Sequence, residues 1–137
     1  MNPLLAGYIH TVGRRKTAVV RLFLRPTTAA KGTFLVNRQP WQLYFPQEIY
    51  QLEILKPFEV LELDPNRYDI LAYAQGGGIK GQAEALRLAI ARALLKELPS
   101  RRPFLRKANL ITVDSRQVER KHYGHKKARK SFQFSKR

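Results

Sequence analysis

The last 37 residues of this 137-residue chain hold thirteen Lys and Arg side chains against only Asp114 and Glu119, a balance of +11. Self-repulsion of that size keeps a segment from collapsing onto a core, so the folded unit must come from the rest of the chain. There the charges fall differently. Residues 1–25 carry five basic groups and no acid, giving +5, while residues 26–100 carry eight of each and are neutral. A neutral middle folds by ordinary burial, whereas basic flanks of this density require a polyanionic partner.

Composition narrows the choice. Apolar residues make up 44% of the chain, enough to build a core, which excludes wholesale disorder. No apolar run is long enough to cross a bilayer, so an integral membrane protein is not expected. The opening MNPLLAGYIH has neither the basic start and apolar stretch of a secretory signal nor the Arg of a transit peptide. A bacterial or organelle-encoded product is therefore expected. The chain has no cysteine, which excludes disulfides, thiolate metal sites and cysteine nucleophiles and fits a soluble, reducing, intracellular setting.

Hydrophobic period defines the elements of the middle. Thr17–Leu24 sets Val20, Leu22 and Leu24 on one face with Arg21 opposite, as a strand does. Pro26 and the run TTAAKG turn the chain, and Gly32–Val36 returns as a second strand, expected to form a hairpin with the first. Pro46 opens a helix whose positions Ile49, Leu52 and Leu55 repeat at helical spacing until Pro57 ends it. Phe58–Leu63 and Tyr68–Ala74 read as strands around the turn Asp64-Pro65-Asn66. After Gly76-Gly77-Gly78-Ile79-Lys80-Gly81 comes the longest helix, Gln82–Leu98, with Ala83, Leu86, Ile90 and Leu94 along one stripe and Arg87 and Lys96 off it. Pro103–Ala108 reads as a further short helix, and beyond Thr112 no period defines a buried element. This order predicts an α+β fold: a two-layer α/β sandwich with a mixed sheet and helices on one face. The expected organisation is a basic N-terminal arm over residues 1–16, a globular α/β domain over 17–110 and an extended basic tail over 111–137.

The glycine run satisfies G-x-G-x-x-G between a strand and a helix, the setting of a dinucleotide-binding fingerprint. Its surroundings do not fit: no βαβ repeat continues from it, and Gln82 stands where a phosphate-binding loop needs Lys and then Ser or Thr. The glycines serve either a tight turn with close backbone approach or a contact between helix N-terminal amides and an RNA phosphate, with Lys80 alongside. His122 and His125 have the spacing H-x-x-H, but surrounding lysines repel a divalent ion, so no metal and no cofactor are expected. No nucleophile–base constellation is present. Trp41, Tyr44 and Phe45 are expected to close the edge of the core rather than stack on bases.

The tail carries the strongest functional signal. Arg116, Arg120, Lys121, His122, Tyr123, His125, Lys126, Lys127, Arg129 and Lys130 are followed by Phe132, Phe134, Lys136 and Arg137. Cations interleaved with rings suit irregular RNA, whose phosphates pair electrostatically and whose splayed bases stack. Duplex DNA prefers a rigid helix or ribbon in its major groove, which this segment lacks.

Several blocks in order resemble one family: Gly13-Arg14-Arg15-Lys16-Thr17-Ala18-Val19, Val36-Asn37 followed by Tyr44-Phe45, Gly76-Gly77-Gly78 with Gly81-Gln82, and Ala91-Arg92-Ala93-Leu94. The end is closest, with Val118-Glu119-Arg120-Lys121, Tyr123-Gly124, Lys127-Ala128-Arg129 and the terminus Gln133-Phe134-Ser135-Lys136-Arg137. Together they resemble the small ribosomal subunit protein 9 family of bacterial and organellar type, over about residues 10–137. The chain departs from that pattern at Asn109, where Gly is usual, at Val113 and Ser115, in Lys121-His122-Tyr123, and in Ser131-Phe132.

The resemblance implies a fold like the second domain of ribosomal protein S-five, seated in the head of the small subunit. It implies binding to the 3′ major domain of small-subunit ribosomal RNA beside neighbouring small-subunit proteins. It also implies that the tail reaches transfer RNA in the peptidyl site through Ser135, Lys136 and Arg137. On this reading Arg14, Arg15, Lys16 and Lys80 hold RNA phosphates, residues 116–130 run through an RNA crevice, and there is no small-molecule substrate. The ribosome would be cytoplasmic in a bacterium, or in the plastid stroma or mitochondrial matrix if organellar. A nucleotide-binding small-molecule kinase-like enzyme, by fold analogy, and a nucleoid-type DNA binder are the alternatives.

Overall fold

The computed structural model describes residues 5–136, and its centre is the most regularly alternating segment of the sequence. β2 (Ala18–Pro26) buries Ala18, Val20, Leu22 and Leu24 completely. It pairs antiparallel with β1 (Ile9–Arg15) on one side and with β5 (Tyr68–Gln75) on the other. β5 in turn pairs parallel with β3 (Phe34–Val36), which pairs antiparallel with β4 (Gln39–Pro40). The sheet is therefore mixed, in the order β1-β2-β5-β3-β4. α3 (Ile79–Glu97) crosses β1, β2 and β5, and α2 (Glu48–Val60) packs on α3. The short α1 (Trp41–Tyr44) and α4 (Arg102–Lys107) complete the helices, and the fold is the expected two-layer α+β sandwich.

Three local expectations are corrected. The segment expected as a basic arm over residues 1–16 forms an edge strand from Ile9 to Arg15, matched with β2 from Ile9↔Leu24 to Arg15↔Ala18. Its alternation is hidden because two of its inward positions, Thr11 and Gly13, are not hydrophobic. The expected hairpin between β2 and β3 does not form. β5 occupies that edge of β2 with an eight-residue ladder, far longer than three-residue β3 could offer. The helix expected to stop at Pro57 instead includes it and ends at Val60, so Phe58–Leu63 is not a strand. Its buried stripe is Ile54, Pro57 and Phe58, continuing to Leu61, whereas Ile49 and Leu52 are exposed. The Pro ring packs inside the core, offsetting the hydrogen bond it removes from the helix.

Both α2 and α4 end in a left-handed residue that is not glycine. Glu62 has φ 54°, with the Leu63 amide donating to the Phe58 carbonyl at 2.9 Å and Glu62 N–H to Glu59 at 3.1 Å. Asn109 has φ 55°, with Leu110 donating to Leu105 and Asn109 to Arg106, each at 3.0 Å. These are paired helix stops that favour glycine, and Asn tolerates the conformation better than Glu does.

Close approach decides one glycine outright. A Cβ on Gly13 would lie 1.9 Å from the Ala85 carbonyl oxygen and 2.8 Å from the Ala89 nitrogen, both backbone atoms of α3. Beside it the Thr11 hydroxyl donates to the Ala89 carbonyl at 2.8 Å, in the interior. Further along, Arg92 donates to the Val12 carbonyl and Lys96 to that of His10, each at 2.8 Å. α3 thus binds β1 by backbone proximity and covers carbonyls of an edge strand.

Trp41, Tyr44 and Phe45 close the core as expected. Phe45 is fully buried and Trp41 stacks on Phe34 at 5.0 Å. Tyr44 donates to Gln82 at 2.6 Å, while Gln82 donates to the Gly76 carbonyl and Asn37 bridges the Ala74 backbone at 2.9 and 3.0 Å. Motif blocks far apart in sequence therefore meet in one network that locks the β3–β4 turn to β5 and α3.

Candidate nucleic-acid interface

Alternation along β1 sends its two arginines to opposite faces. Arg14 lies on the face away from α3 and is exposed. Arg15 points toward α3, where its Nε donates to Glu84 at 2.6 Å and its guanidinium reaches Asp114 at 3.4 Å and the Arg116 carbonyl at 2.6 Å. Only 15% of the Arg15 side chain is exposed. It clamps the start of the tail onto the core. Lys16, with φ 52°, sits exposed at the tip of the β1–β2 turn.

Lys80 is exposed in the first turn of α3, after the glycine run. Gly76 and Gly77 have φ of 72° and 64°, and a Cβ on Gly77 would strike Ala18 at 2.9 Å. The backbone that approaches them is the chain's own. Gly78, the residue before the helix, has open space around it.

From Asp114 the chain leaves the core. Hydrogen bonds from the Arg116 guanidinium and Arg116 amide, with the Arg15 charge behind them, hold the Asp114 carboxyl far below the usual carboxylate range. Residues 115–122 have no regular structure and are exposed. Within the segment expected as an extended tail, the chain doubles back once. Gly124 turns at φ 73°, His125 pairs with Ser131 across a β-bridge, and the Lys126 amide donates to the Lys130 carbonyl at 2.7 Å. Glu119 receives two bonds from Arg129, at 2.8 and 2.9 Å, which lower its pKa and raise that of Arg129.

Arg120, Lys121, His122, Lys127 and Lys130 stand exposed along this path, and Tyr123 is 99% exposed. Lys126 lies over the Phe132 ring at 5.5 Å, and Ser131 Oγ approaches His125 Nδ1 at 3.3 Å. Ser135 and Lys136 are exposed, and Arg137 lies outside the described residues. Among the described residues no group of three or more His, Asp or Glu side chains is placed to hold a metal.

Sequence reasoning missed the clamp. Glu84 and Asp114 lie 69 and 99 residues from Arg15, so no local signal links them. Arg87, Arg92 and Lys96 likewise serve the fold, Arg87 through an ion pair with Glu53.

A small α+β core that exposes a tail of interleaved cations and rings has the makeup of a ribonucleoprotein component. A family model described as ribosomal protein S9/S16 matches residues 13–137. Similar proteins, each named small ribosomal subunit protein uS9, occur in Chlorobaculum tepidum, Amoebophilus asiaticus and Methylacidiphilum infernorum. They are 52%, 51% and 47% identical over 94% of this chain, covering 97%, 98% and 92% of their own lengths respectively. The chain belongs to the ribosomal protein S9/S16 family, whose members are structural ribosomal proteins and not enzymes.

Proposed function

We propose that this chain is a structural constituent of the small ribosomal subunit that binds small-subunit ribosomal RNA in the subunit head. The exposed run from Arg116 to Lys130 carries the reading: its cations project without a core beneath them, and Tyr123 offers a free ring. Arg14, Lys16 and Lys80 add phosphate contacts from the core, while Arg15 fixes where the tail departs. His122 and His125 hydrogen-bond or stack on RNA. Arg129 is already paired with Glu119, so its contact with phosphate competes with that ion pair. Ser135, Lys136 and Arg137 reach the backbone of peptidyl-site transfer RNA, Arg137 by the planar fork of its guanidinium.

The test is RNA affinity measured across salt concentrations. Changing Lys126 and Lys127 together to Ala lowers affinity and reduces the slope of log affinity against log salt by about 1.4, at about 0.7 for each single-strand phosphate pairing lost. An unchanged slope places both lysines outside the interface. Deleting residues 135–137 leaves assembly nearly intact and weakens transfer-RNA binding to reconstituted subunits by about 1 kcal/mol. Equal binding at every salt concentration removes the tip from that site.

A further inference from the structure

The face of the sheet opposite the helices is not uniformly polar. Sheets with one wet face place polar side chains there. Here the positions that face away from α3 mix charged and polar side chains with Val12, Val19, Phe23 and Leu71, each of these four half-buried by its neighbours alone. Across three strands runs a row of rings: His10 stacks on Phe23 at 4.8 Å with planes 28° apart, and Phe23 meets the edge of Tyr73 at 6.2 Å. Tyr73 remains 38% exposed.

Arginines border this row on both sides. Register puts Arg21 between Val12 and Tyr73, and Arg14 opposite Val19. Arg38, at the β3–β4 turn, lines a shallow cleft of about 100 Å3 with Leu35, Leu71 and Tyr73. Arg14, Arg21 and Arg38 have no acidic partner among the described residues. Arg25 is paired with Asp69, the acid on this face, at 3.0 Å. The surface is thus aromatic in its middle and carries a net excess of guanidinium charge, with no lysine among these positions. Arginine suits phosphate and base planes together, because its flat, weakly hydrated head both forks hydrogen bonds and stacks.

We infer that this open sheet face is a second RNA-binding surface, on which unpaired bases stack against the His10–Phe23–Tyr73 row while Arg14, Arg21 and Arg38 hold phosphates. The inference rests on the reading that the chain binds small-subunit ribosomal RNA, but it uses residues remote from the tail. Charge selects RNA over a protein partner: a protein would have to bring a matching acidic patch, whereas every nucleotide brings its own negative charge. The face also restrains where the tail can lead, since Arg15 sends the tail off the opposite side of β1. Core and tail would then hold separate RNA segments.

The experiment uses the full-length chain and a transcript of small-subunit ribosomal RNA, with salt titrations of four proteins: the parent, Arg21→Ala with Arg38→Ala, Tyr73→Leu, and Lys126→Ala with Lys127→Ala. The arginine pair is exposed, and circular dichroism with a thermal melt checks that the fold is kept. The sheet-arginine variant is expected to lower the salt slope by about 1.4, two single-strand pairings at about 0.7 each. Tyr73→Leu keeps apolar bulk but removes the ring, and is expected to weaken binding about tenfold at unchanged slope. Parental slope and affinity in both sheet variants, while the tail variant falls, overturn the sheet surface and leave the tail reading standing. The converse pattern overturns the tail reading alone. Parental RNA binding together with loss of a neighbouring protein from reconstituted subunits assigns the face to protein and also overturns the inference.

Discussion

Gly13→Ala isolates the contact on which the β1–α3 packing depends. The added methyl would sit 1.9 Å from the Ala85 carbonyl oxygen, less than any non-bonded carbon and oxygen can share, and both obstacles are backbone. No rotamer change relieves it, so β1 must withdraw from α3 by more than an ångström. That movement stretches the buried 2.8 Å bond from Thr11 to Ala89 beyond hydrogen-bonding range. It also loosens Arg92 and Lys96 from the strand carbonyls. Overpacking costs about 1–3 kcal/mol and the stranded Thr11 and Ala89 groups about 1–3 kcal/mol more. Because relaxation relieves part of both, we expect a net loss of about 3 kcal/mol. For a core of this size that lowers the melting temperature by more than about 10 °C. Urea denaturation followed by circular dichroism measures it directly. A loss below about 0.5 kcal/mol, the scale of an ordinary surface change, would refute the close-approach argument.

Other outcomes follow from the same geometry. Glu62→Gly removes a side chain from a left-handed position at an exposed helix stop and should raise stability by about 0.5–1 kcal/mol; Asn109→Gly should gain less, because Asn already tolerates that conformation. A larger gain at Asn109 than at Glu62 in chemical denaturation would contradict this. Arg15→Met breaks the clamp on Asp114 and the Arg116 carbonyl while keeping the stem, so limited trypsin digestion should cut at Arg116 faster than in the parent; equal rates would show that the clamp does not hold the tail. Burial and the neighbouring Glu97 carboxylate push the Tyr68 phenol up from 10.0 to about 12. Its contribution is therefore full below pH 10 and lost as pH rises towards 12, when the unfolded chain ionises first. Tyr68→Phe should flatten the fall in denaturant midpoint over that window, and parallel profiles for the two proteins would exclude the phenol as its cause.

The sequence by itself determined what depends on composition and short period. Strict alternation marked β2 and β5, and an unbroken apolar stripe marked α3, because burial of a whole face leaves a repeat that any window detects. The +11 terminal segment marked the tail, since charge that cannot be buried must remain outside. Tertiary structure decided the rest, and for one physical reason: partners far apart in the chain leave no local trace. β1 joins the sheet although its inward residues are Thr11 and Gly13, because what they need is the backbone of α3 some 78 residues on. Pro57 is read locally as a helix stop, yet core packing carries α2 through it to Val60. Of two adjacent arginines, identical to any composition count, Arg14 remains outward while Arg15 becomes an internal clamp. Strand parity decides between them, and parity has meaning only once β1 has found both β2 and α3.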